Sequence, residues 1–293
     1  MSDQLVRGNS MDGAIRVFAA VSTDLVNEAQ RIHHTYPVAT AALGRTLTAA
    51  AIMGAGLKNE DDSITIQFKG DGPIERVIAV TDAKSCVRGY VGNPYVDLPL
   101  SEKGKLDVGR AVGKGQLSVV RDLGLKEPYV GQVPIVTGEI AEDLTYYYAA
   151  SEQIPTAMSL GVLVGTDNRA IAAGGFMLQL MPEAEEALAA ELEEKMKTIP
   201  PVTKMITDGM TAEDILFAVT DGFDMLMDNH IITPEYRCKC SKERMERALI
   251  SIGKEELESI IKEQGEAELS CQFCDNKYRF TKAELEKLLK EAK

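Results

Sequence analysis

The chain has 293 residues, 45% hydrophobic and 26% charged, enough to fill a large core and to form one or two domains plus a small module. Lys and Arg total 32 against 45 Asp and Glu, a net charge of −13. Counterion release from a basic surface drives phosphate binding, so this balance weighs against nucleic acid or an anionic membrane as the main partner.

The opening MSDQLVRGNS has no apolar signal core, and no run nears the ~18 apolar residues that span a bilayer, so the chain is expected to be soluble and unprocessed. Ala14–Val21 reads as a strand, and a helix capped at Ser22 or Thr23 follows, carrying Leu25, Val26 and Ala29. Pro37 opens a second helix, PVATAALGRTLTAAAIMGAG, whose small residues let neighbouring backbones come close. Ile64–Phe68 and Ile74–Val80 form a hairpin around Lys69-Gly70-Asp71-Gly72-Pro73. Further strands are predicted at Ser85–Val91, Gln116–Asp122 and Gly131–Thr137, then a helix over Glu142–Gln153. Strands Ser159–Val164 and Ile171–Leu180 follow, with Thr166-Asp167-Asn168 turning between them. Short strands with clustered helices read as an α+β fold, not a doubly wound parallel sheet.

After Met181-Pro182 the texture changes. A helix is predicted from Glu183 with Ala184, Leu188, Leu192, Met196 and Ile199 on one face, broken at Ile199-Pro200-Pro201; another starts at Thr211. Met196, Met205, Met210, Met225 and Met227 are either ordinary core filler, the plainer reading, or a soft adaptable surface. The last segment holds a helix from Ser241 to Gly253 and a second ending at Gly265. Strands Glu266–Ser270 and Lys277–Phe280 flank a CQFC turn, and Thr281 with Glu284 forms a capping box for a final helix. The organisation is thus a β-rich α/β core over 1–180, a helical middle region over 181–234 and a small four-cysteine zinc module over 235–293.

Four of the five cysteines lie in that module, as Cys238-Lys-Cys240, 30 intervening residues, and Cys271-Gln-Phe-Cys274. Two short knuckles across a helical insert supply four thiolates for one tetrahedral Zn2+. A Cys-x-Cys pair spans at most about 7 Å and can twist into disulfide range, so local bridges are feasible. Arg237, Lys239, Lys242, Arg244, Lys277 and Arg279 surround the pairs and favour thiolate, the form that oxidants attack. On spacing alone a structural knuckle and a redox switch stand level. Either way, zinc is worth roughly 10–16 kcal/mol in such modules. Cys86, alone in SCVRGYV, reads as a small buried residue.

Beyond the cysteines, Ala42-Leu43-Gly44-Arg45, Gly70-Asp71-Gly72-Pro73, Ser151-Glu152-Gln153-Ile154-Pro155, Gly174-Gly175-Phe176 and Gln179-Leu180-Met181-Pro182 stand in order along the chain, with Tyr278 and Phe280 after the CQFC turn. In these motifs and in the cysteine pattern, nearly the whole chain resembles the redox-regulated 33-kDa heat-shock chaperones of bacteria. The resemblance implies a cytoplasmic, ATP-independent holdase that keeps unfolding proteins from aggregating during oxidative stress. It implies an inactive reduced form with Zn2+ on Cys238, Cys240, Cys271 and Cys274. Oxidation would pair Cys238 with Cys240 and Cys271 with Cys274, release the metal, unfold the module and yield a dimer that captures clients.

Three other functions compete. His33, His34 and His230 are the only histidines and no G-x-S-x-G elbow accompanies them, so an enzyme is not expected and no catalytic residue is assigned. Gly70–Pro73 lacks the lysine of a phosphate loop. A dithiol oxidoreductase would place Cys-x-x-Cys at a helix start after a strand. A zinc-knuckle nucleic-acid binder is the main alternative, against which the acidic balance stands.

Overall fold

The computed structural model describes residues 2–182 and 184–291. It divides into two compact units, Met1–Arg237 and Cys238–Lys293. The first begins with β1 (Gln4–Ser10), β2 (Ile15–Val21), α1 (Thr23–His33) and α2 (Pro37–Gly54). Next come β3 (Ser63–Gly70), β4 (Arg76–Asp82), β5 (Cys86–Val91), α3 (Val108–Val112), β6 (Gly115–Asp122) and β7 (Tyr129–Pro134). Helix α4 (Ala141–Tyr147) runs into a π-helical turn, Tyr148–Glu152, before β8 (Thr156–Val164) and β9 (Ala170–Leu180). The unit ends with α5 (Glu186–Thr198), α6 (Val202–Thr207), α7 (Ala212–Val219), β10 (Met225–Met227) and β11 (Glu235–Tyr236).

Its strands make two sheets, ordered β10-β1-β2-β9-β8 and β11-β5-β4-β3-β6-β7. All neighbours are antiparallel except β11 and β5. Helix α2 packs on β2, β8 and β9 of one sheet and on β3, β4 and β5 of the other. A helix wrapped in this way is apolar or small all round, and α2 is buried along nearly its whole length. A Cβ on Gly44 would come within 2.8 Å of Val26 and 2.9 Å of Val162, so the close approach requires glycine there. Its buried hydroxyls are satisfied locally: Thr46 and Thr48 donate to the carbonyls four residues back, and Thr48 also bonds Ser22. The mixed α/β architecture agrees with the α+β reading.

Several elements differ from the sequence expectations. The strands β1, β10 and β11 and the five-residue α3 escaped it. Met225 and Met227 lie on β10, paired with β1, inside a stretch expected to be helical. Met205 is buried and Met196, Met210, Met225 and Met227 pack against apolar core, which makes them filler and not an open surface. The helix predicted from Glu183 begins at Glu186, and Glu183 itself lies outside the described residues. The helix expected over Glu142–Gln153 gives way to the π turn after Tyr147. Tyr147 donates its hydroxyl to Glu152, Glu152 pairs with Arg121 at 3.4 Å, and Gln153 closes the turn at φ +56°. The Gly70–Pro73 loop serves packing: a Cβ on Gly70 or Gly72 would strike the carbonyls of Val112 or Ala111 in α3.

The second unit contains α8 (Lys242–Ser251), α9 (Lys254–Glu263), the hairpin β12 (Glu266–Ser270) and β13 (Lys277–Thr281), and α10 (Lys282–Leu289). Ser241 caps α8, accepting from the Arg244 N–H at 3.4 Å. Thr281 and Glu284 make the expected capping box on α10. Strand β13 alternates, with Phe280 inward and Lys277 and Arg279 outward. The unit's buried apolar residues are few: Leu249, Leu257, Phe280, Leu285 and Leu288, with half-buried neighbours such as Met245, Ile260 and Tyr278.

Candidate metal centre

Cys238 and Cys240 lie on the extended segment that enters α8, and Cys271 and Cys274 lie on the turn between β12 and β13. Hydrogen bonds from the Cys271 N–H to the Asn276 carbonyl (3.0 Å) and from the Cys274 N–H to the Cys271 carbonyl (3.4 Å) close that turn. The fold thereby gathers four half-buried sulfurs whose ligand atoms all lie within 4.8 Å of one another. No disulfide links them. Sulfurs approach one another across the knuckles, Cys238 Sγ to Cys271 Sγ at 3.7 Å and Cys240 Sγ to Cys274 Sγ at 3.4 Å. This cluster can hold a metal ion, and it is the only group of three or more His, Cys, Asp or Glu so placed among the described residues. Cys86 is elsewhere, buried on β5.

The four sulfurs are not equivalent. Burial pushes the Cys238 thiol far up, although the Cys240 N–H points at its sulfur. Burial likewise moves Cys274 up to about 11, against a hydrogen bond from the Asn276 N–H. Burial also opposes charge on Cys240, but hydrogen bonds outweigh it and bring that thiol down to about 7. Its donors are the Tyr278 hydroxyl at 3.0 Å, the Cys274 thiol at 3.4 Å, the Cys238 thiol and the Asn276 side-chain amide at 3.8 Å. Tyr278, held as a donor to Cys240, is itself raised to about 12. One negative charge is therefore accommodated readily at Cys240, while burial resists ionisation of Cys238 and Cys274. A bound cation supplies the compensation that lets all of them ionise.

Four of the surrounding cations are paired with carboxylates. Lys242 pairs with Glu284 at 2.5 Å and stands 5.3 Å over the Phe280 ring; Lys277 and Arg279 share Glu268 at 3.1 and 2.7 Å; Arg237 pairs with Glu235 at 2.5 Å. The thiolate at Cys240 owes most to Tyr278, then to the Cys274 and Cys238 thiols and to Asn276. The Cys-rich spacing carried no information about Tyr278 or Asn276; the inward alternation of Tyr278 with Phe280 on β13 was the available signal. Of the histidines, His33 bonds Tyr236 (2.9 Å), His34 ends α1 at φ +50°, and the His230 N–H donates to Asp228. No helix among the described residues is long and apolar enough to cross a membrane.

Comparison with known proteins extends the match beyond the cysteines. The Hsp33 protein family model matches residues 3–281. The chain is 50% identical to the 33 kDa chaperonin of Clostridium beijerinckii, over all of both chains. It is also 50% identical to the 33 kDa chaperonin of Geobacillus sp. (strain WCH70), again over all of both. The crystal structure of the 33 kDa chaperonin from Thermotoga maritima superposes with a TM-score of 0.90 at 40% identity, covering 99% of each chain. The chain belongs to the Hsp33 family.

Proposed function

We propose that this protein is a redox-regulated, ATP-independent holdase of the cytoplasm, held inactive by Zn2+ on Cys238, Cys240, Cys271 and Cys274. The observation that carries the reading is the four-sulfur cluster set in a unit with so small a core. Zinc–sulfur bonds near 2.3 Å make tetrahedral sulfur edges of ~3.8 Å, and the cross-knuckle separations of 3.7 and 3.4 Å are close to that spacing. Four thiolates suit zinc over hard cations. Cys238 and Cys240 on one segment and Cys271 and Cys274 on the other would hold the ion, which would supply a tie between them and offset the charge of the buried sulfurs.

With zinc bound, all four sulfurs would be thiolates, the form that peroxide attacks, and the Tyr278 hydroxyl donates to the Cys240 sulfur at 3.0 Å. The thiolate takes one peroxide oxygen as sulfenic acid, and the other leaves as water after protonation. A neighbouring thiol then displaces the second water and forms a disulfide, two electrons having passed to the oxidant. The pairs are Cys238 with Cys240 and Cys271 with Cys274. They are short-range, so they tie each knuckle to itself and not to the other. The link between the knuckles is then gone, and the unit lacks the core to stay folded. The apolar surface exposed by unfolding captures clients, and the oxidised form is a homodimer; neither step catalyses a reaction on the client.

A zinc-knuckle nucleic-acid binder is disfavoured by two observations. The chain carries −13 overall, and Lys242, Lys277 and Arg279 are already paired with carboxylates. The experiment that tests the proposal treats purified protein with peroxide at mildly raised temperature, without nucleotide. Zinc release, the two local disulfides and suppression of client aggregation appear together; zinc retained alongside full anti-aggregation activity would contradict the coupling.

A further inference from the structure

Strand β5 borders the six-stranded sheet except where β11 lies beside it. An uncovered strand edge exposes unpaired N–H and C=O groups, and other extended chains pair with it readily. The covering piece here is short and parallel, with Glu235 opposite Cys86 and Tyr236 opposite Val87. Main-chain bonds of the parallel ladder hold it, with the Glu235 N–H donating to the Ser85 carbonyl at 3.3 Å and the Arg237 N–H to the Val87 carbonyl at 2.8 Å at its ends. A single side chain adds the specific anchor. The Tyr236 hydroxyl donates to the Gly89 carbonyl at 2.7 Å and accepts from the Gly89 N–H at 3.3 Å. His33 Nε2 stands 2.9 Å from the same oxygen, with the two rings edge to face. The hydroxyl's one proton goes to Gly89, so His33 is the donor in that bond. Upstream, Ile232 exchanges bonds of 2.8 and 2.9 Å with Leu5; downstream, the next residue is Cys238.

We propose that the edge of β5 from Ser85 to Gly89 is a strand-addition site for an extended, tyrosine-bearing peptide of another protein, and that Glu235–Arg237 is the internal segment that closes it. Main-chain pairing is tolerant of sequence, whereas the Gly89–His33 pair gives the site one preference, for a phenol. Tethering keeps Glu235–Arg237 at an effective concentration in the ~mM range, which excludes outside peptides while both flanks are ordered. Loss of order beyond Cys238 frees one flank and lowers that concentration. This last step, and only this step, rests on the switch proposed above; the site itself is independent of it.

The test uses the full chain in reductant and a fluorescein-labelled peptide ITPEYR, the sequence of Ile232–Arg237, followed by anisotropy. Tyr236→Ala removes the internal anchor and binds the peptide roughly tenfold or more tighter than the parent chain. A peptide with Phe in place of Tyr binds more weakly, because it lacks the hydroxyl bonds. Arg237→Pro, which lacks the N–H that Val87 accepts, is a second opening variant and shows a smaller gain. If both variants keep the parent's circular dichroism and thermal midpoint yet bind no better, or if the Phe peptide binds equally well, the site is refuted. Peptide binding to the peroxide-treated parent supports opening by oxidation. Binding to the variants but not to the oxidised parent leaves the site standing and refutes its link to the switch.

Discussion

Leu47 in α2 and Leu257 in α9 are both fully buried leucines, but they stand in cores of very different reach. Around Leu47, side chains from two sheets and several helices form one continuous apolar cluster running from Leu5 to Met177. Around Leu257 there are four other buried apolar residues, a rim of half-buried ones and then the four sulfurs. The first unit is held by packing. The second is held by a far smaller core beside a cluster of four sulfurs, and the comparison teaches that packing is spread unevenly along one chain.

The largest expected effect comes from breaking the tie. Cys271→Ser removes one ligand, and most of the roughly 10–16 kcal/mol that zinc brings to such modules is lost. Calorimetry of this variant shows the transition of the first unit retained and that of the second absent, with zinc content falling in parallel. A normal second transition in metal-depleted Cys271→Ser would show that packing alone suffices there.

Leu47→Ala and Leu257→Ala sharpen the comparison at equal chemistry. Each costs about 2–5 kcal/mol at its own site. In the first unit this lowers a midpoint. In the second the metal-depleted module is already unfolded in the parent, so the cost of Leu257→Ala shows only in the zinc-bound module, which still folds but with less protection than the parent's. Tryptophan is absent from the chain, so exchange protection of the module is a better readout than fluorescence.

Smaller again is Tyr278→Phe. It removes the 3.0 Å hydrogen bond to Cys240, so the Cys240 thiol rises from about 7 and its thiolate fraction near neutrality falls. The folded module then stabilises negative charge on Cys240 less well, so the variant holds zinc several-fold more weakly at pH 7, read by competition with a chromophoric chelator. An unchanged affinity would show that the Tyr278 donation contributes nothing to holding the metal.

The smallest effect is a pH dependence confined to the second unit. The ion pair with Lys242, together with the Thr281 cap, holds Glu284 down at about 2, from an ordinary 4.5. The folded state therefore favours the carboxylate: its stabilisation is present above pH 4.5 and is lost as pH falls through that value toward 2. Glu284 is exposed, so the contribution is small and weakens with salt. Glu284→Gln lowers the module's stability slightly at pH 7 and flattens its pH dependence below 4.5, parent and variant converging as pH falls toward 2.

Much of this contrast could be read before any coordinates. The spacing of Cys238, Cys240, Cys271 and Cys274 located the cluster, and Thr281 with Glu284 marked the start of α10, because caps and metal knuckles are local in sequence. The β3–β4 hairpin was legible for the same reason. What escaped was set by distant partners. Gln4–Ser10 is too polar to look like a strand until β2 and β10 flank it, and Glu235–Tyr236 is a strand only because β5 offers an edge. At the site, the cations near the cysteines were visible, but their commitment to Glu235, Glu268 and Glu284 was not; nor was the donation from Tyr278 and Asn276, which depends on how β13 turns back over Cys240.

The central claim is that the four thiols decide whether the second unit is folded while leaving the first intact. Hydrogen exchange with peptide-level mass spectrometry, on reduced zinc-loaded protein and on protein oxidised by peroxide, tests it most directly. The account predicts that amides of α8, α9 and α10 lose protection after oxidation while those of β3 and β4 keep theirs. Undiminished protection across Lys242–Leu289 in protein shown to carry both disulfides and no zinc would contradict it.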